Sequence, residues 1–172
     1  MNVLIAVASK HGATFQIANT IGKTLDEAGI PNDVRTINVW PELLDYDAVI
    51  LGSAIYMGKW MPEAQQFIDT HSAELSSRKV WLFSSGPLGE EDPKPDDNPA
   101  LTEKLLAITG AREHRIFAGR LAPDELGIGE KLVAKAVHAP AGDFRDWDEI
   151  TAWAATIGQA LLAESHAVPS VR

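Results

Sequence analysis

The chain contains no cysteine. Disulfide bridges, thiolate-held iron–sulfur clusters and thiol nucleophiles are therefore excluded, and any redox chemistry must come from a bound cofactor. Basic residues are in the minority: 15 Lys and Arg stand against 24 Asp and Glu, a formal net charge of −9. That balance argues against nucleic acid as a partner and against docking on an anionic lipid surface, since both need a broad positive footprint. It leaves room for a local anion site. Long apolar runs are lacking as well. The opening "MNVLIAVAS" has no basic leader and is too short to span a bilayer, so no integral membrane segment is expected and the default location is the cytoplasm. The five histidines, His11, His71, His114, His138 and His166, have no metal-ligand spacing, and no metal is expected.

What is present is an alternation of apolar runs and helical stripes. Val3 to Ala8 is continuously apolar and β-branched, as a strand buried on both faces would be. Ile17, Ile21, Leu25 and Ala28 follow at helical spacing, and Gly29 supplies a stop. "DVRTINV" alternates as a second strand, and "AVILGSA" from Ala48 is a third, buried one. Pro62 suits a first helical turn, ahead of a stripe of Ala64, Phe67, Ile68, His71 and Leu75 in which His71 is read as structural. "KVWLFSS" is the fourth strand, Pro99 to Ile108 a short helix and "HRIFAGR" the fifth strand. The last helix carries Trp147, Ile150, Ala154, Ile157 and Leu161 on one face, with Asp146 and Glu149 spaced as a capping box. "SHAVPSVR", from Ser165, is expected to be a frayed tail. With neither repeat nor linker, residues 1–172 read as one domain: a parallel sheet covered by helices on both faces. In such sheets ligands lie beyond the carboxyl ends of the strands, where strand order reverses.

Three loops follow strands with suggestive chemistry. The first holds Ser9, Lys10, His11, Gly12, Ala13 and Thr14. Its glycine permits a tight turn with exposed N–H groups, its hydroxyls are donors, and the helix start at Thr14 adds its dipole, so a phosphate fits there. The plain alternative is an N-cap at Thr14 after a glycine turn. The second loop holds Ser53, Ala54, Ile55, Tyr56, Met57, Gly58 and Trp60. Its aromatic groups could stack on a flat heterocycle, or Trp60 and Met61 could staple the next helix. The third holds Ser84, Ser85, Gly86, Pro87, Leu88 and Gly89, where backbone amides could approach a ring edge. Its acidic run Glu90–Asp92 reads as a solvated face.

Together these loops resemble the flavodoxin-like family, whose first loop has the form T/S-x-T-G-x-T/S. Ser9, Gly12 and Thr14 match it, and His11 replaces the middle hydroxyl, where Lys10 or a cationic His11 would stand in. The resemblance implies a three-layer α/β/α sandwich with a five-stranded parallel sheet in the order 2-1-3-4-5. It also implies FMN, with its phosphate on the first loop and its ring between the other two. "SKHGAT", "LGSAIYMGKW", "FAGRL" and "DFRDWDEI" resemble more narrowly the branch that contains the menaquinone-dependent protoporphyrinogen oxidases. That likeness implies an oxidoreductase acting on a porphyrinogen- or quinone-like molecule. A carrier that serves a redox partner protein through an acidic face is the alternative, and a nucleotide-binding regulatory module is a third reading. Response-regulator receivers do not fit, because Ser9-Lys10-His11 and Ser53-Ala54 stand where their acidic groups belong. The connection from Ala122 to Arg145 is long for its place, and it is expected to wall the substrate or partner site. Within it, Leu132, Val133, Ala136 and Val137 would give a helix an apolar face, with Lys131 and Lys135 opposite. The domain, a second copy in a homodimer or an apolar ligand would have to cover that face.

Overall fold

The computed structural model describes residues 1–37, 42–56, 58–86, 99–127, 131 and 141–167. The two strands with the most continuous apolar sequence lie next to each other inside the sheet. Strand β1 (Val3–Ala8) runs parallel to β3 (Ala48–Tyr56) from Val3↔Ala48 to Ala8↔Ser53, and both are buried through that register. Strand β2 (Asn32–Thr36) pairs parallel with the other side of β1. Beyond β3 come β5 (Lys79–Ser85) and β6 (His114–Phe117), giving the order β2-β1-β3-β5-β6. These five parallel strands have the expected 2-1-3-4-5 order. The short strand β4 (Lys59–Trp60) folds back antiparallel on β3.

Alternate side chains leave each strand on opposite faces, and the two faces build two cores. On one, Val3, Ile5, Val7, Ile50, Trp81 and Phe83 meet α1 (Ala13–Glu27) and α4 (Trp147–Ala167). On the other, Leu4, Ala6, Val49, Leu51, Val80 and Leu82 meet α2 (Pro62–Ser76) and α3 (Pro99–Thr109). Burying one such side chain contributes about 1.5–3 kcal/mol, so the alternation along each strand sets which helix covers which face. The helix stripes read from sequence are the buried ones: Ile17, Ile21 and Leu25 on α1, and Ala64, Phe67, Ile68 and Leu75 on α2. Pro62 occupies the first turn of α2. His71 packs on Phe67 with ring centroids 4.7 Å apart and lies 3.0 Å from Glu74, at a local kink in the helix.

Three element boundaries differ from expectation. "HRIFAGR" is not one strand. β6 stops at Phe117, and Arg120–Leu121 form β7, which pairs antiparallel with β8 (Gly142–Asp143). The break has a steric cause: a side chain at Gly119 would come within 3.2 Å of the Gly86 Cα, so the two backbones cross there in contact. The second strand ends at Thr36, with Ile37 buried in a turn, while Asn38 and Val39 lie outside the described residues. Helix α4 continues to Ala167, past the expected start of the tail at Ser165, because nothing breaks it before Pro169.

Candidate functional site

The chain leaves β1 for a helix on one face of the sheet and leaves the adjacent β3 for a helix on the other. A crevice opens at such a switch point, and the first two candidate loops border it. In the first, Gly12 has φ 77° and ψ −9°, a left-handed conformation that glycine adopts without steric penalty, and it caps α1. The helix begins at Ala13, one residue earlier than expected. Thr14 lies inside its first turn, only 2% exposed, and no side chain caps the helix. The reading of Thr14 as an N-cap is therefore set aside. The first backbone bond of the helix runs from the Gln16 N–H to the Gly12 carbonyl, 3.0 Å. The N–H groups before it have no helical acceptor, and no carboxylate stands in the first turn. A Cβ built on Gly12 would meet nothing within 4 Å. Amides without a helical acceptor, a buried hydroxyl residue and space at the Gly12 Cβ suit a bound anion.

The second loop divides between the crevice and the core. β3 and β4 form a hairpin with Ile55↔Trp60 and Tyr56↔Lys59 paired, and Gly58 at φ 69° in the turn. Alternation along β3 leaves Tyr56 43% exposed at the crevice end. Trp60 does not share that exposure. Its sequence position suggests a stacking group, but the hairpin returns it to the α2 side, where it is 2% exposed and its Nε1–H donates to the Ser84 Oγ at 2.7 Å. Ser53 is also buried: its hydroxyl donates to the Ala54 carbonyl and accepts from the Met61 N–H. Ala54 is nearly closed and Ile55 half-buried. Met57 lies outside the described residues.

The third loop starts from side chains already committed to the core. Ser84 is fully buried and Ser85 is 4% exposed. Trp60 can only donate, so the Ser84 oxygen accepts from it, and the same hydroxyl hydrogen-bonds with His114 Nε2 at 2.7 Å. The other ring nitrogen, Nδ1, lies 3.0 Å from the Thr102 hydroxyl. This chain, buried at Trp60 and Ser84 and half-buried at His114 and Thr102, joins β4, β5, β6 and α3, and Ser84 can offer a ligand only its backbone. Gly86 closes the described part of the loop, its N–H reaching the Phe117 carbonyl at 3.4 Å. Pro87, Leu88 and Gly89 lie outside the described residues.

Residues 4–148 match the flavodoxin domain family. The chain belongs to that family. Its relatives include the protoporphyrinogen IX dehydrogenase [quinone] of Escherichia coli K12, 24% identical, with the match covering 91% of this chain and 94% of that one. Solved structures with the same fold include a flavodoxin from the domain Archaea, with TM-score 0.61 and 16% identity over 93% of this chain and 98% of that one. Oxidised flavodoxin 2 from Bacillus cereus is 29% identical over 80% of this chain and 96% of that one, with TM-score 0.54. Flavodoxin domains bind FMN, and the cofactor of this family is therefore FMN. The geometry of the first loop fits its terminal phosphate. Family and relatives together make the chain a flavoprotein of the oxidoreductase or electron-carrier kind. Among the described residues no helix is long and apolar enough to cross a membrane.

One feature of this flavodoxin domain is not visible in its sequence pattern. By sequence Arg145 is only a basic residue at the end of the long connection, yet its side chain is 3% exposed and reaches the first turn of α1. Its guanidinium donates to the Asp143 carboxylate from Nε at 2.7 Å and from Nη2 at 2.6 Å. Nη1 donates to the Ala13 carbonyl at 3.1 Å and to the Gln16 Oε1 at 2.7 Å. The guanidinium also lies 4.5 Å from the ring centre of Trp147. Hydrogen bonds from Arg145 hold the Asp143 carboxyl below its usual range. The one signal for it is in "DFRDWDEI", an arginine just ahead of the helix that packs on α1. Of the connection itself, residues 122–127, 131 and 141–145 are described, while Leu132, Val133, Lys135, Ala136 and Val137 lie outside the described residues. Its two ends are tied by β7–β8 and by the Phe144 N–H donating to the Gly119 carbonyl at 3.1 Å.

Proposed function

We propose that the chain is an FMN-dependent oxidoreductase acting on a porphyrinogen- or quinone-like small molecule. Ser9, Lys10, His11, Gly12, Ala13 and Thr14 receive the phosphate. The ends of β3 and β5 flank the ring, through Ala54, Ile55, Tyr56, Met57 and Gly58 on one side and the backbone of Ser85, Gly86, Pro87, Leu88 and Gly89 on the other. When bound, FMN supplies reversible uptake and release of one or two electrons. The protein binds it, orients it and decides what approaches.

The β7–β8 ribbon is the observation that carries this reading. A carrier needs only an exposed ring edge, whereas this chain carries a long connection whose two ends are paired beyond β6, Arg120–Leu121 against Gly142–Asp143. The match to the dehydrogenase extends over the same region. The test is anaerobic mixing of the FMN-loaded protein with a porphyrinogen and a soluble quinone, followed by porphyrin fluorescence. Quinone-dependent fluorescence is expected. Replacing residues 123–140 by a short Gly/Ser turn should abolish it while FMN remains bound. Turnover unchanged by the replacement would remove the segment from the site.

The net charge of −9 favours a second reading, an electron carrier docking on a basic partner. Rapid, salt-sensitive reduction by a flavodoxin reductase, with no porphyrinogen turnover, would select it.

A further inference from the structure

We propose that Arg145 is a positioning residue for the phosphate end of FMN, a clamp that keeps the first turn of α1 in its anion-receiving form. The proposal rests on the FMN reading above. A cation at a helix N-terminus opposes the helix dipole, so Arg145 is out of place as a simple stabiliser of α1. Nor is it required to hold α4 against α1, since Ile17, Ile21, Trp153, Ala154 and Ile157 already share one buried core.

What Arg145 grips explains its placement. Its Nη1 donates both to the Ala13 carbonyl and to the Gln16 side chain, one turn of helix fastened at two points. The Ala13 carbonyl belongs to the same planar trans peptide as the Thr14 N–H, so the two point in opposite directions. Holding the carbonyl aims that N–H away from the clamp, toward the open space before Gly12. A hydrogen bond to the carbonyl also polarises the peptide and strengthens its N–H as a donor. Asp143 accepts two parallel bonds from the far side of the guanidinium and fixes its plane. Asp143 lies in β8, at the return end of the long connection, so one side chain couples the phosphate loop to that segment.

The test compares dissociation constants for FMN and for riboflavin, which lacks the phosphate, by quenching of flavin fluorescence. The ratio of the two constants is the readout. R145K keeps the charge but loses the planar fork, and it should weaken FMN about tenfold while riboflavin changes little. R145M should weaken FMN further. Gln16→Ala alters an exposed residue outside the core and should lower FMN affinity in the same direction by a smaller factor. If the Arg145 variants do not fold, the Gln16 variant alone decides. A ratio that stays at the wild-type value, or equal weakening of both flavins, overturns the clamp. A wild-type protein that does not prefer FMN over riboflavin overturns the FMN reading instead.

Discussion

The two edges of the sheet handle polar groups in opposite ways. At the amino edge, Lys79, Arg112 and Glu164 meet in an exposed cluster. Arg112 contacts both carboxylate oxygens, at 2.5 and 3.1 Å, and Lys79 lies 2.9 Å from one of them. Every charge there has a protein partner. At the carboxyl edge, besides paired charges such as Arg145 and Asp143, two further sets of polar groups stand apart. One is wholly or partly buried and hydrogen-bonded to other side chains, as in the chain Trp60–Ser84–His114–Thr102. The other faces open space with no helical acceptor, as at Gly12 and the first turn of α1. Charges paired in solvent add little and are screened by salt. Amides at a helix start that have no helical acceptor are available to a ligand. The hydrogen-bonded chain ties β4, β5, β6 and α3 together at the same end of the sheet.

Three substitutions probe this contrast. The largest effect is expected at Ser84→Ala, which removes the acceptor of a fully buried Trp60 Nε1–H and the partner of His114 Nε2. Orphaned buried groups of this kind cost about 2–4 kcal/mol of folding stability together. Urea unfolding should show that loss, and a midpoint within error of wild type would mean the chain is not a support.

The next is Thr14→Val, an isosteric change at the buried hydroxyl residue of the first turn of α1. It should weaken FMN binding by about 1–3 kcal/mol through one lost hydrogen bond to a charged group, with riboflavin affinity and urea midpoint nearly unchanged. Equal weakening of both flavins would mean that Thr14 acts on the helix start alone.

The smallest belongs to the amino edge. Hydrogen bonds from Arg112 and Lys79 lower the Glu164 carboxyl from 4.5 to about 2. A depressed folded-state value contributes stability that is present above about pH 4.5 and lost as pH falls through about 2. Glu164→Gln should therefore lower the thermal midpoint only slightly near neutrality. The gap should narrow in added salt and close as pH drops from 4.5 to 2. A gap that persists below pH 2 or ignores salt would show that the residue acts by packing rather than by charge.

The order of elements was legible because each relies on local pattern. The apolar continuity of Val3–Ala8 and Ala48–Ala54 marks buried parallel strands, and the stripes of α1 and α2 mark helices on opposite faces. The first loop could be proposed as a phosphate site from sequence because its chemistry is confined to consecutive residues, Ser9 to Thr14. What could not be read depends on contacts between distant residues. Whether Trp60 points inward is set by the register Ile55↔Trp60 across a turn. Arg145 meets Ala13 and Gln16 across 132 and 129 positions of sequence, which no spacing rule reaches. The end of β6 at Phe117 depends on Gly119 lying against Gly86.

Paired strands lie about 4.8 Å apart, so at the β7–β8 ribbon the chain leaves at Leu121 and re-enters at Gly142 through what is in effect a single port. Doubling the length of a loop closed at fixed ends adds only about 0.6 kcal/mol of entropy. The intervening sequence can thus lengthen, shorten or be exchanged while α1, α4 and the sheet keep their places. Such an architecture lets descendants of one scaffold change what they accept by swapping a cassette, with the cradle beneath it inherited intact.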